Sequence, residues 1–251
     1  MTTASSLPGD NQQPRDAANW AQRVSELQIS RVPTGALNLN VEGLQAVGPL
    51  QGFGQLWQKT YLVRLPGVKL TPAEVMQVWK ENFARFMPSA SRFFPVKAVA
   101  PGEVIIINDS SLGMPVSTGV VVLYADDESF TVMTPQGHPE SGWNTFSTYT
   151  EDGSIVCQIQ SMARADDPIY ELGFRLLGTR AQEKIWTYVL ETLAAHFDVN
   201  GQVQIVKICV DPRVQWSEAK NIWHNAALRT FLYTLMAPLR WLKRAFSPRQ
   251  S

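Results

Sequence analysis

The two side chains best suited to acid–base chemistry, His138 and Glu140, lie two residues apart in the string Gly137-His138-Pro139-Glu140-Ser141-Gly142. An imidazole that titrates near neutral pH beside a carboxylate can act as a general acid–base pair or orient a polar group of a ligand. Side chains on either side of a proline can also diverge, and each can instead bond the backbone and fix the loop. A structural role, a ligand contact and catalysis are all open at this point.

Other chemistries have little support in the sequence. The three histidines, His138, His196 and His224, are never four residues apart, and no Cys-x-x-Cys pair is present, so we expect no metal site. Asp109-Ser110-Ser111 lacks the Gly-x-Ser-x-Gly elbow of hydrolases and is typical of a turn. No phosphate-binding Gly-x-x-x-x-Gly-Lys segment occurs, and no cofactor is expected. A formal net charge of +0 makes nucleic acid an unexpected partner.

Aromatic residues on several predicted elements suggest an apolar binding site. Thr145 and Ser147 share the face of Trp143 if this segment is a strand. Apolar walls with a few polar groups are typical of a small-molecule cavity, although such residues most often simply form a core. The candidate ligand-binding residues are Tyr61, Trp79, Phe83, Trp143, Thr145, Ser147 and Trp186.

Hydrophobic patterning predicts the elements that would position these residues. Leu56–Leu65 alternates as a strand, with Lys59 and Tyr61 on one face. Thr71-Pro72 followed by Glu74 predicts the start of a helix through a capping box. A helical segment runs from Asp167-Pro168 to Phe197, with an interruption near Gly178. Further strands are predicted at 96–100, 104–108, 119–125, 129–134, 143–150 and 154–163.

This order of elements predicts an α+β fold, in which a curved antiparallel sheet wraps around a long C-terminal helix. It resembles the order in the START-like superfamily, also called SRPBCC or helix-grip proteins. The Gly137–Gly142 string, with a following helix that contains Arg180 and Gln182, is similar to a bacterial and plant family of unknown function that has a GHPESG-type loop. The likeness covers residues 115–197 and fits more loosely back to Leu56.

The resemblance implies that a hydrophobic or amphipathic molecule is gripped between sheet and helix, and some members of the superfamily are cyclases, hydrolases or dehydratases. From this we expect the protein to bind a lipid-like or isoprenoid-like small molecule. Two alternatives stay open. One is an enzyme that uses His138 and Glu140 as an acid–base pair, and the other is a membrane-peripheral adaptor.

The expected organisation has four parts. Residues 1–16 are polar and predict a disordered tail, and 17–54 form a lead-in that includes a helix over Ala17–Arg31. Residues 55–200 are the START-like domain. Residues 201–251 add an edge strand at Val203–Val210 and a helical region at Glu218–Phe246. The fold therefore carries extra N- and C-terminal helical segments.

The C-terminal region predicts a second kind of contact. Apolar residues alternate there with basic ones, as in helices that lie on anionic membranes. The same pattern also fits a helix packed on the domain with its basic side chains reaching into water. The candidate membrane-contact residues are Arg240, Trp241, Lys243, Arg244 and Phe246.

Two cysteines, the absence of a secretory signal pattern and the absence of a long apolar run favour a reducing compartment. The expected location is therefore cytoplasmic, or peripheral at a membrane.

Overall fold

The computed structural model describes residues 16–95, 98–110, 115–177 and 180–238. Within these residues, nine antiparallel strands form one sheet in the order β3-β4-β5-β6-β7-β8-β2-β9, and β1 pairs with β6. The strands are β1 (Ala46–Val47), β2 (Leu56–Leu65), β3 (Ser91–Pro95), β4 (Val104–Asp109), β5 (Val116–Ala125), β6 (Ser129–Pro135), β7 (Glu140–Glu151), β8 (Ser154–Ala165) and β9 (Gln204–Asp211).

Helices accompany the sheet on both faces. The predicted start of the first helix is confirmed, because the Thr71 hydroxyl accepts the Glu74 N–H at 3.3 Å and the Glu74 carboxylate accepts the Thr71 N–H at 2.7 Å. The α-helices of the described residues are α1 (Pro72–Glu81), α2 (Pro168–Leu177), α3 (Arg180–His196) and α4 (Ala226–Leu235). Short 3₁₀ segments lie at Ala17–Asn19, Pro49–Gln51, Phe83–Phe86 and Trp216–His224.

The main core lies between the sheet and the helices α1 and α3. Alternation turns Tyr61, Val63 and Leu65 of β2 inward, and they are fully buried. The ring of Phe146 is at the centre. It stacks on Phe130 with 4.4 Å between centroids, and other rings meet it edge-on, namely Trp79, Phe83 and Trp186. The curved antiparallel sheet around the long helix α3 confirms the predicted helix-grip architecture.

Segments from both ends of the chain pack on the sheet outside the main core. Leu27 and Val41 pack on Val104 and Val121 of the sheet. The helix α4 lies on β5, where the Ser117 N–H donates to the Thr230 hydroxyl at 3.0 Å. The predicted edge strand is present as β9, which pairs with β2.

Two predictions for the part of the chain before β4 are wrong. The predicted helix Ala17–Arg31 is reduced to the 3₁₀ turn Ala17–Asn19, because the segment packs on the sheet instead, with the Trp20 ring 4.9 Å from that of Tyr124. Residues 98–100, the described part of the strand predicted at 96–100, are not in a strand. The strand in this part of the chain is β3 instead, and its Phe93 pairs with Ile107 of β4.

The C-terminal helical region also differs from the prediction. Instead of one kinked helix over Glu218–Phe246, the described residues form the 3₁₀ segment Trp216–His224 and then α4. The break falls at Asn225, whose side chain caps α4 by accepting the Leu228 N–H at 2.9 Å. Because this cap starts a new helix, the 3₁₀ segment Trp216–His224 and α4 are separate elements.

Among the residues described, no helix combines the length and apolar character required to cross a lipid bilayer.

Candidate functional site

His138 lies in the loop that joins β6 to β7 and Glu140 is the first residue of β7, and packing requires the glycines at both ends of this segment. Gly137 has a φ of +79°, and a Cβ there would lie 1.9 Å from the carbonyl oxygen of His224. The Gly137 carbonyl also accepts the Ala226 N–H at 2.9 Å. A Cβ on Gly142 would lie 2.2 Å from the carbonyl oxygen of Met162. The loop therefore fits against β8 and against the C-terminal segment only with glycine at both positions.

His138 is held within its own loop. Its Nδ1 lies 3.0 Å from both the backbone nitrogen and the carbonyl oxygen of Glu140. Burial lowers the pKa of the imidazole to about 4, so the ring is neutral at pH near 7. In the described residues no hydrogen bond or ion pair joins the ring to the Glu140 carboxylate. The acid–base pair of His138 and Glu140 stays a prediction.

Ser141 anchors the loop to a buried carboxylate. Its hydroxyl donates to Asp166, and the Gly137 N–H donates to the same side chain at 3.2 Å. The Asn221 amide donates to the Asp166 carbonyl at 3.0 Å. Burial raises the pKa of Asp166 to about 7. This network joins the loop to the C-terminal segment, and the sequence analysis did not single out Asp166.

Glu140 points away from the loop network into a second group of polar residues, which we call the polar cluster: Lys59, Glu140 and Gln182. The Lys59 Nζ donates to the Gln182 Oε1 at 2.5 Å and lies 3.8 Å from the Glu140 Oε1. The Gln182 Nε2 donates to the Glu140 Oε2 at 2.6 Å. Burial raises the pKa of Glu140, and the charge of Lys59 opposes that shift. The cluster thus holds a buried cation and a carboxylate where α3 begins.

Polar groups without a protein partner lie on the same inner face of the sheet. Lys59 pairs in register with Ser161, which pairs with Asn144, so three adjacent strands share a polar row. A buried polar atom that lacks a partner costs roughly 1–3 kcal/mol, so such atoms are typical of binding sites. Within the described residues, the buried side-chain atoms without a protein partner are the Asn144 Oδ1, the Tyr61 hydroxyl, the Trp186 Nε1, the Trp79 Nε1, the Thr118 hydroxyl, the Arg164 Nε and the Asn38 Oδ1. The first four of these belong to the side of the sheet that carries the main core or to the helices packed on it.

The polar cluster could have been found from the sequence by one anomaly. Lys59 lies on the face of β2 that points inward, and its neighbours on that face are apolar or aromatic. A lysine at such a position is rarely buried unless it is paired. Gln182 was noted through the family resemblance, and nothing in the sequence distinguished Asn144.

The predicted ligand-binding residues divide into two groups. Tyr61, Trp79, Phe83 and Trp186 are buried in the main core, so they face the interior as expected. The structure does not test whether they bind a ligand.

The placement of Trp143, Thr145 and Ser147 on the interior face is wrong. In β7 the residue Phe146 pairs with Phe130 and Ile159, which are core residues, so even-numbered positions face inward. Trp143 is 36% exposed on the opposite face. The Thr145 hydroxyl lies 3.0 Å from that of Thr131 on β6. The predicted polar lining of the interior is supplied by Asn144 instead.

The predicted membrane-contact residues, Arg240, Trp241, Lys243, Arg244 and Phe246, lie outside the described residues, and their role stays a prediction.

The centre of the grip is filled by aromatic rings. An open cavity of about 600 Å³ lies elsewhere, along α1, and is lined by Glu74, Gln77, Lys80 and Val99 among others.

No protein-family model and no curated protein matches the chain. Solved structures are similar at low identity. The two-domain aromatase/cyclase StfQ from the steffimycin biosynthetic pathway is 12% identical with a TM-score of 0.44, over 57% of this chain and 50% of that one. A protein from Thermus thermophilus is 13% identical (TM-score 0.43, 56% and 96% covered), and a conserved protein from Geobacillus kaustophilus is 9% identical (0.43, 59% and 99%). The similarity thus spans half the length of StfQ.

Proposed function

We propose that this protein binds an amphipathic small molecule of lipid-like or isoprenoid-like type at the α3 end of the grip. The apolar part of the molecule contacts the aromatic core, and its polar group meets the polar cluster. The resemblance of the sequence to START-like proteins implies the same kind of ligand.

The observation that carries this proposal is a set of buried polar atoms with mixed chemistry. The Trp186 Nε1 and the Tyr61 hydroxyl can donate a hydrogen bond, and neither has a protein partner among the described residues. Lys59 supplies a buried cation beside them on the inner face. Donors around an apolar wall are the features that orient a carbonyl, hydroxyl or carboxylate oxygen of a ligand.

The first test identifies the molecule. Native mass spectrometry and solvent extraction of the purified full-length chain should reveal an apolar compound that carries an oxygen function. Recovery of no such compound from several expression hosts would count against the proposal.

The second test uses anilinonaphthalene sulfonate, a fluorescent apolar anion, as the probe. Trp186→Phe removes one unpartnered N–H and keeps an aromatic ring, so the dissociation constant should rise about tenfold, as expected for one lost hydrogen bond. Trp223→Phe is the matched control, because Trp223 is exposed and remote from the grip. Equal affinity of both variants and the wild type would mean that the probe binds elsewhere, and the proposed site would be wrong.

A further inference from the structure

We propose that exposed apolar faces of α2 and α4 form a surface that docks on membranes containing anionic lipid. We call this surface the docking face and define it by Ile169, Leu172 and Leu176 of α2 and Leu228, Phe231, Leu232 and Leu235 of α4. It shares no residue with the polar cluster or with the buried atoms of the proposed ligand site.

The orientation of α4 is the first observation. The helix turns its small side chains, Ala226, Ala227 and Thr230, toward the sheet and buries them. Its large apolar side chains recur at helical spacing on the outer side, where Leu232 is 53% and Leu235 is 64% exposed. A helix that packs on a domain normally buries its large apolar residues. The reversed arrangement of α4 is typical of a helix that contacts a second apolar phase.

The helix α2 extends the same surface. Tyr170 and Phe174 pack with Ala226 and Ala227 in one small apolar cluster, so the two helices are neighbours. The outer side of α2 exposes three apolar residues at spacings of three and four, namely Ile169, Leu172 and Leu176. Contiguous exposed apolar surface of this kind marks an interaction site.

Charge selects the partner. From Ala219 to the end of the sequence there are six basic residues and no acidic one. Near the docking face, Asp166, Asp167 and Glu171 are buried, and Glu218 is half-buried with its carboxylate 3.8 Å from the Lys220 Nζ. Lys220 and Arg229 are the basic residues of this stretch that the structure describes, and both are exposed. An apolar face beside exposed cations matches an anionic lipid surface. A second copy of the chain would bring the same cations against it, which disfavours self-association.

The test is sedimentation of the full-length protein with phosphatidylcholine vesicles, made with or without a third of phosphatidylserine. We expect binding to the anionic vesicles that weakens as salt is added. The double substitution Leu232→Glu with Leu235→Glu should lower the affinity about tenfold or more. The control is Val206→Glu with Ile208→Glu on β9, where the two side chains are exposed to a similar degree, 54% and 53%. This control should bind as the wild type does.

A second pair of substitutions tests the charge separately from the apolar face. Lys220→Glu with Arg229→Glu should lower binding to the anionic vesicles about tenfold and leave any weak binding to neutral vesicles unchanged. The side chains are exposed, so all variants should melt like the wild type.

Three results would overturn the proposal. The first is absence of binding to either kind of vesicle. The second is binding that is equal for neutral and anionic vesicles at every salt concentration. The third is a wild-type dimer in gel filtration that the Leu232→Glu, Leu235→Glu variant abolishes, since the docking face would then be covered by a second copy.

Discussion

At the scale of single residues, the polar cluster combines features that oppose one another energetically. Lys59 and Glu140 are both removed from water, and their attraction at 3.8 Å offsets only part of that cost. The hydrogen bonds of Gln182 with Lys59 and Glu140 offset a further part of the cost of removing both charges from water. A buried ion pair is therefore weak evidence for stability, and its position at the start of α3 fits a role in binding.

The Tyr61 hydroxyl gives a direct test of this view. It is buried without a protein partner, and burial raises its pKa far above the ordinary value. Tyr61→Phe removes a desolvated hydroxyl, so the free energy of unfolding of the ligand-free protein should be unchanged or rise by about 1 kcal/mol. The same substitution should weaken binding of anilinonaphthalene sulfonate. Urea unfolding and the fluorescence titration measure the two effects.

Tyr170→Phe is the matched control for this prediction. The Tyr170 hydroxyl accepts the Ala227 N–H at 3.0 Å and donates to the Gly137 carbonyl at 3.4 Å. Its loss should lower the free energy of unfolding by about 1–2 kcal/mol. If Tyr61→Phe destabilises the protein as much as Tyr170→Phe, the Tyr61 hydroxyl has a structural partner, and its proposed role in ligand binding fails.

At the scale of elements, the loop between β6 and β7 is a junction. Its backbone meets the C-terminal segment at Gly137. Directly after it, at the start of β7, the Glu140 carboxylate accepts from Gln182 of α3 and the Ser141 hydroxyl donates to Asp166. The loop sets where Glu140 points because its other residues are fixed by these contacts. This explains why a short string with both His138 and Glu140 need not be an acid–base pair.

Two glycines with the same backbone conformation test the junction. Gly137 and Gly153 have φ of +79° and +73°, but a Cβ on Gly153 would meet no atom within 4 Å. Gly153→Ala should therefore cost only about 1 kcal/mol of folding free energy through backbone strain. Gly137→Ala adds a clash with the His224 backbone and should cost about 3 kcal/mol or more. Equal losses in urea unfolding would show that the C-terminal segment does not rest on the loop.

At the scale of the whole molecule, one buried carboxyl connects three parts of the chain. Asp166 follows β8, bonds the loop through Ser141 and lies beside Asn221 of the C-terminal segment. Burial raises its pKa from 3.8 to about 7, so the folded protein holds a proton there that the unfolded chain releases near pH 4. The contribution of this group to stability is therefore full at acid pH and declines as the pH rises toward about 7.

Asp166→Asn isolates this effect, because asparagine resembles the protonated carboxyl and does not titrate. Between about pH 5 and about pH 8, the wild type should lose about 2–3 kcal/mol of unfolding free energy relative to the variant. Asp211→Asn is the control. Its hydrogen bonds with Arg213 and Arg164 hold the Asp211 pKa well below the usual range, so it does not titrate in this window. Parallel curves for the wild type and Asp166→Asn would contradict the prediction.

The sequence by itself determined the sheet and its closing helix. Alternation in β2 and the capping box at Thr71 are local signals, and each depends on a few neighbouring residues. The inward face of Tyr61 and the edge strand β9 followed from the same kind of signal.

Only the tertiary structure decided which face of β7 is buried and which side of α4 is exposed. Each face of β7 carries aromatic and polar residues, so composition could not show which face is buried. The pairing of Phe146 with Phe130 and Ile159 decided it. For α4, the periodicity of the sequence predicts an apolar stripe but does not show which surface that stripe contacts. In the structure α4 contacts β5 and buries Ala226 and Thr230, and its large apolar residues are left exposed. The polar cluster joins residues 59, 140 and 182, which no local pattern relates.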